Sequence, residues 1–347
     1  MKDFQPDYFS VNSINYSSVP LKSLQEIENM LKEQFPIVEK VLDAKNLSGL
    51  DINSSNIKIK SRTGNYMLKH WSSKDFERIN QICRILLHLN SEGISVPVPI
   101  STIKNEFIFE FKTGNVTLFN YLEGEIFQPT FSDLQSYFAS ISNLFLSLRK
   151  FNDESKNYNL HPEPELISST LNRTVMNNSS ELEIRFPGDF IKLKELYRKL
   201  LSDLDMYPTI THNNEKQFSH YDLHPKNILK QKKDNYAFLD FESCVISDPN
   251  IAWGFTLIKI LRQVMAGSEV ILDPIIVGKK SLDLIQDQEF ADSLTVPLLP
   301  VFGRVEVMRR LTYIIDEFEN YNSETWLSML PIQVQLLRES YILFPQK

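Results

Sequence analysis

The stretch SHYDLHPKNIL, Ser219 to Leu229, constrains this chain more than any other. It sets His220, Asp222, His224 and Asn227 around Pro225 and runs straight into the apolar pair Ile228-Leu229. A dense polar cluster that opens an apolar strand can be a metal cage, a catalytic loop or a turn whose polar groups satisfy the backbone. As a cage, His-x-Asp-x-His offers imidazole and carboxylate ligands to zinc, but a catalytic zinc site usually takes another ligand from elsewhere. The other histidines, His70, His88, His161 and His212, sit in no comparable cluster.

The spacing favours the catalytic loop. Phosphoryl-transfer enzymes of the kinase type use H-R-D-x-x-x-x-N, followed by a strand that ends in D-F-G. Here His220-Tyr221-Asp222 precedes Asn227 by the template's separation, and the following strand, YAFLDFE, ends in Asp240-Phe241-Glu242. The run KQKKD, Lys230 to Asp234, is the densest basic run and reads as a solvated turn between the two strands. Phosphoryl transfer asks little covalent work of a protein. It needs a group near the acceptor hydroxyl, metal ligands and positioning. Asp222 is the candidate to accept or orient the hydroxyl proton. Asn227 and Asp240 are hard oxygen ligands suited to Mg²⁺, and His220 holds the loop by hydrogen bonds. His224 either touches the transferred phosphate or braces the loop, and Lys226 faces solvent.

The rest of the chain divides by pattern. Ser23-Leu24-Gln25-Glu26 has the form of a capping box, with Leu24, Ile27, Met30, Leu31 and Phe35 at helical spacing behind it. NIKIKSR and NYMLKHW alternate around Thr63-Gly64, and EFIFEFK and NVTLFNYL alternate around Thr113-Gly114; both read as hairpins. Between them a helix carries Phe76, Ile79, Ile82 with Cys83, Leu86 and Leu89 as its apolar stripe and closes at Gly93. After Leu122–Glu125 helical periodicity takes over, from DLQSYFASISNLFLSLRKF to VEVMRRLTYIIDEFENY. A β-rich first third thus precedes a helical remainder, with the boundary near Tyr121, and the seam between them is a place for a ligand cleft.

Composition narrows the partners. The formal net charge of −7 and the lack of a Lys/Arg block argue against a general nucleic-acid binder. No window approaches the length of a membrane span, and the N-terminus lacks a basic-then-apolar signal pattern. Cys83 and Cys244 form neither a CxxC nor a disulfide framework, which fits a reducing compartment with both buried. The expectation is a cytoplasmic protein.

HYDLHPKN and FLDFE resemble the loop and metal strand of the aminoglycoside phosphotransferase and choline kinase-like family. NYMLKHW is similar to that family's third strand, LSGLDINSSNIKI to its nucleotide loop, EGISVPVPI to the junction after its small-lobe helix, and LFNYLEGE to its hinge. The resemblance spans residues from about 45 to 255. It implies that Lys69 meets the α- and β-phosphates, with Glu77, or else Asp75, as its acidic partner. It also implies that the Asn120 carbonyl and the Leu122 N–H face adenine. The pattern departs at three places. Only Gly49 stands in the nucleotide loop, Glu242 replaces the glycine of D-F-G, and Ala252 follows Asp248-Pro249-Asn250-Ile251 where the family often has a second acid. No A-P-E segment is evident, which points away from protein kinases.

The implied fold is α+β and protein kinase-like: a nucleotide-binding lobe over 1–120, built as a small antiparallel sheet with a helix, and a mainly helical catalytic and substrate-binding lobe over 121–347. The implied activity is transfer of the γ-phosphate of ATP, with Mg²⁺, to a hydroxyl of a small molecule such as an amino alcohol, a sugar, homoserine or an aminoglycoside. A scaffold that keeps the fold without the chemistry, and a metal-dependent hydrolase built on His220, Asp222 and His224, are the competing readings. Trp253, Tyr313, Phe318, Tyr321 and Trp326 are candidates for an aromatic wall around a cationic acceptor.

Overall fold

The computed structural model describes residues 24–47, 54–71, 75–111, 114–153, 180–206, 216–232 and 235–346. The Ser23 cap, the loop around Gly49 and the Thr113 turn position lie outside these residues. The described chain divides into two compact units, one formed by 24–125 with Ala237–Glu242 and one by 126–236 with 243–346.

The first unit is an antiparallel sheet with two helices. Helix α1 (Leu24–Gln34) leads into β1 (Val41–Asn46), β2 (Ser54–Ser61) and β3 (Asn65–Trp71). Helix α2 (Phe76–Ser91), β4 (Pro99–Ile100), β5 (Phe109–Phe111) and β6 (Gly114–Asn120) follow. The strand order is β1-β2-β3-β6-β4, with β5 also on β6. Alternation sets the faces: Ile57 and Ile59 of β2 are buried opposite Leu68 and Tyr66 of β3. Ile27, Met30, Leu31 and Phe35 of α1 close over that face with Val116 and Leu118 of β6. Helix α2 is capped by Asp75, whose side chain accepts from the Arg78 N–H at 3.0 Å, and it is followed by Gly93 at φ +82°. Its buried stripe is Ile79, Ile82, Cys83, Ile85, Leu86 and Leu89. Phe76, expected in that stripe, is 43% exposed because it opens the first turn. Burial pushes the Cys83 thiol up to about 12, so it behaves as a packed apolar group. Cys244 is also buried, and neither cysteine is in a disulfide.

The second unit is mainly helical. The chain enters it along β7 (Glu125–Ile126) and continues as α3 (Leu134–Lys150), α4 (Ser180–Arg185) and α5 (Pro187–Met206). The catalytic segment supplies β8 (Gln217–His220), β9 (Ile228–Lys230) and β11 (Cys244–Ser247), while β10 (Tyr236–Phe238) passes into the first unit at Ala237. Helices α6 (Pro249–Gly267), α7 (Pro274–Gln286), α8 (Leu299–Tyr321) and α9 (Leu330–Leu343) complete it. Lys230 is more than a solvated turn residue, since its ammonium lies 2.5 Å from Asp133.

The crossing of α6 and α8 matters most for the site. Gly254 and Gly303 meet there backbone to backbone: a Cβ on Gly303 would lie 2.3 Å from the Gly254 carbonyl oxygen, and one on Gly254 would lie 2.2 Å from that of Leu299. Only glycines permit this approach. Trp253 is fully buried against Phe138 and Phe145, and Phe318 is buried as well. Of the expected aromatic wall these two are core, while Tyr313 and Tyr321 are exposed at 49% and 75%. Among the described residues no helix is long and apolar enough to cross a membrane.

Candidate active site

Strand β8 delivers the catalytic loop. It pairs antiparallel with β11, Cys244 opposite His220, so His220 ends the strand wholly buried. His220 Nδ1 accepts the Asp222 N–H at 3.1 Å and lies 3.3 Å from Ser243 Oγ. That fixes the turn and leaves the ring structural. His224 caps the short helical turn Pro225–Asn227, its Nδ1 accepting the Lys226 N–H at 3.2 Å. The proton of a neutral ring therefore sits on Nε2, which lies 3.4 Å from Asp222 Oδ2. With Nδ1 of both rings engaged by the loop backbone, His220, Asp222 and His224 do not converge as a zinc cage. Among the described residues no group of three or more His, Cys, Asp or Glu side chains is placed to hold a metal ion.

The Asn227 amide nitrogen donates to the Asp222 carbonyl at 3.0 Å and to Asp222 Oδ2 at 3.3 Å. This directs the Asn227 nitrogen at Asp222 and leaves Oδ1 as the free acceptor, with no described residue donating to it. An arginine absent from the sequence reading completes the group. Arg310 of α8 reaches Asp222 Oδ1 at 3.3 Å and donates to the Tyr221 carbonyl at 2.9 Å. Burial alone would raise the Asp222 carboxyl. The Arg310 charge, the His224 hydrogen bond and the Lys259 charge outweigh it and hold the group well below the usual carboxylate range. Asp222 stays ionised although its side chain is only 25% exposed.

Lys69, Asp240 and Glu242 come together in the first unit. Lys69 lies on β3, buried, with its ammonium 4.3 Å above the Trp71 ring, as the two-residue period of a strand requires. Its Nζ is ion-paired with Glu242 and lies 3.7 Å from Asp240 Oδ1. The acid set against Lys69 is thus Glu242, at the position of the D-F-G glycine. Glu77 is exposed in the first turn of α2, and Asp75 is its cap. A helix start needs an acid for its own unpaired N–H groups and dipole, which explains both residues. Arg78, also unforeseen, donates to the Glu242 carbonyl at 2.9 Å and braces the segment from α2. Asp240 adopts φ +60°, a left-handed conformation that an Asp tolerates better than most residues and that is concentrated at functional sites. At the other end of the sheet the Asn120 N–H donates to the Val98 carbonyl at 3.0 Å, and its side chain accepts the Val98 N–H. Asn120 and Leu122 are both half-buried.

The family model described as "APH: Phosphotransferase enzyme family" matches residues 47–251, a span that holds Lys69, Asp222, Asn227 and Asp240. The chain belongs to that family. No curated protein matches it. Among solved structures, this phosphotransferase is similar to amicoumacin kinase in complex with AMP-PNP, Ca²⁺ and Ami: 14% identity, 93% of this chain and 95% of that one covered, TM-score 0.65. It is similar to spectinomycin phosphotransferase in complex with ADP and spectinomycin, at 13% identity, 93% and 98% coverage and TM-score 0.58. A microcompartment-associated aminopropanol kinase aligns at 12% identity, 92% and 95% coverage and TM-score 0.60. These likenesses carry the fold, which is α+β and protein kinase-like as the resemblance implied.

Where Asp248-Pro249 opens α6, Asp248 accepts from the Asn250 N–H at 2.9 Å and from its amide at 2.8 Å. The first acid of that segment is therefore a helix cap. A cavity of about 560 Å³ in the second unit is lined by Arg149, Lys216, Gln217 and Asp292, among others. It lies at the Gln217 end of β8, the end away from the catalytic loop, and holds none of the site residues.

Proposed function

We propose that the chain transfers the γ-phosphoryl group of ATP to a hydroxyl of a small molecule. The observation that carries this reading is the Asp222 carboxylate, kept ionised and oriented by Arg310, His224 and Asn227 on the loop that the family's chemistry uses. In the step proposed, the acceptor oxygen forms a bond to the γ-phosphorus while the bond from that phosphorus to the β-bridging oxygen breaks and ADP leaves. A carboxylate so firmly ionised is a weak base early in the reaction. Asp222 therefore orients the hydroxyl and takes its proton only as the new O–P bond makes that proton acidic. Loose phosphoryl transition states need no stronger base.

The Asn227 Oδ1 and the Asp240 carboxylate, the latter 43% exposed, are each a hard oxygen donor of the kind Mg²⁺ takes. The metal would supply charge neutralisation at the phosphates. Lys69, set against Asp240 and Glu242, is the residue for the α- and β-phosphates. Binding of AMP-PNP and of ADP by the first two similar proteins supports ATP as donor, and their varied acceptors support a small molecule. The test is ADP release by the purified protein over a panel of amino alcohols, sugars, homoserine and aminoglycosides, with Asp222→Asn beside it. We expect one acceptor class to stimulate release, and turnover in Asp222→Asn to fall by about 10²–10⁴ with MgATP affinity within a few-fold. Equal ADP release by both proteins across the panel refutes the reading.

A further inference from the structure

Asp222 is held from two sides. Oδ2 takes Asn227 and His224, both from its own loop, at 3.3 and 3.4 Å. Oδ1 takes a single partner, Arg310, at 3.3 Å. An ionised carboxylate accepts at about four sites, so the open one lies on Oδ1, beside the guanidinium. Arg310 is itself anchored. Its Nε donates to Glu306 Oε1 at 2.9 Å one turn back along α8, its second terminal nitrogen donates to the Tyr221 carbonyl, and its guanidinium carbon lies 4.3 Å over the Phe255 ring of α6. Glu306 is wholly buried and also receives two hydrogen bonds from Arg309, each 2.8 Å. A fork fixed at every nitrogen is a positioning device, and arginine's planar geometry suits it where lysine's point charge does not.

We propose that Arg310 is the positioning residue of this phosphotransferase: anchored by Glu306, it fixes the Asp222 carboxylate so that the open site on Oδ1 receives the acceptor hydroxyl. This rests on the phosphotransfer reading above. The groups facing Asp222 are His220, Tyr221 and His224 from its loop, Lys259 from α6, and Glu306, Arg309 and Arg310 from α8. Of these only Arg310 contacts Oδ1. Removing its fork therefore leaves Oδ1 with nothing to fix its direction.

Two readouts on Arg310→Gln and Arg310→Lys test this, with slow MgATP hydrolysis (water as acceptor) as the activity. First, crystal structures of wild type and both variants read the orientation of the Asp222 side chain. We expect the carboxylate to turn away from its present position in Arg310→Gln and to keep it in Arg310→Lys. Second, kcat should fall by about 10–100-fold in Arg310→Gln, the scale of a misplaced catalytic group, with KM for MgATP within about two-fold. Arg310→Lys should recover part of kcat, and Asp222→Asn/Arg310→Gln should be no slower than Asp222→Asn. An unmoved Asp222 side chain, an unchanged kcat, or losses that add in the double variant overturn the proposal. If wild type hydrolyses no MgATP and no acceptor stimulates it, the phosphotransfer reading fails. The Asp222 orientation in the crystal structures still decides whether Arg310 holds it.

Discussion

Gly303→Ala is the substitution through which the fold most directly tests the site. The added methyl would sit 2.3 Å from the Gly254 carbonyl oxygen, 2.5 Å from its carbon and 2.6 Å from Ile258 Cδ1. Carbon–oxygen contacts settle near about 3.3 Å, so α8 and α6 must part by roughly 1 Å. Overpacking of this kind costs about 1–3 kcal/mol and occasionally more, while alanine in a helix returns about 1 kcal/mol over glycine. Strain at the top of that range leaves a net loss of about 2 kcal/mol, a fall in Tm of about 4–8 °C for a unit of this size. Arg310 lies about two turns further along the same helix. The displacement carries its guanidinium away from Asp222, and a misplacement of about 1 Å can cost 10²-fold in rate. Gly267→Ala at the end of α6 is the control: a Cβ there meets nothing within 4 Å, and no loss is expected. Thermal melts and turnover of the two variants give the comparison. A Gly303→Ala protein as stable and as active as the Gly267→Ala protein would refute the argument that the glycine contact sets the helix spacing and, through it, the site.

Lys69→Ala should weaken MgATP binding in calorimetry and also lower the melting temperature, because the side chain is buried on Trp71 and its loss removes the ion pair with Glu242. An exposed strand lysine would have changed binding alone. Asp240→Asn and Asn227→Ala should each raise the Mg²⁺ concentration needed for half-maximal turnover, and titration curves that overlay with wild type would remove both as ligands. The folded-state value of Asp222 is depressed. Its ion pairing therefore contributes stability above the unfolded carboxylate value, about 3.9, and that contribution is lost as pH falls through the lower folded value. The kcat profile at saturating MgATP should accordingly show no acid limb from Asp222 down to about pH 5. A limb near pH 6 that disappears in Asp222→Asn would contradict the cause assigned to the shift.

Local pattern was enough for the parts of this protein whose partners are close in sequence. Asp222, His224 and Asn227 are recognisable because one turn brings them together, and the alternation around Gly64 specifies β2 and β3 because a strand's faces repeat every second residue. The stripe of α2 was legible on the same ground, except at Phe76, where the helix has only begun to face the core. Charge pairing over long separations was not legible. Arg310 lies 88 positions from Asp222, and Glu242 lies 173 from Lys69; many acids and bases in the chain could have met by sequence alone. Glu77 was the nearer acid in sequence, yet the first turn of α2 leaves it in solvent while Arg78 holds the Glu242 segment against Lys69. Trp253 and Phe318 had the chemistry of a binding wall, and the packing of α3, α6 and α8 made them core. The residues thus determined which groups were available for phosphoryl transfer. The tertiary structure decided which of them hold one another, because that depends on how closely α6 and α8 approach, and two glycines 49 residues apart set the distance.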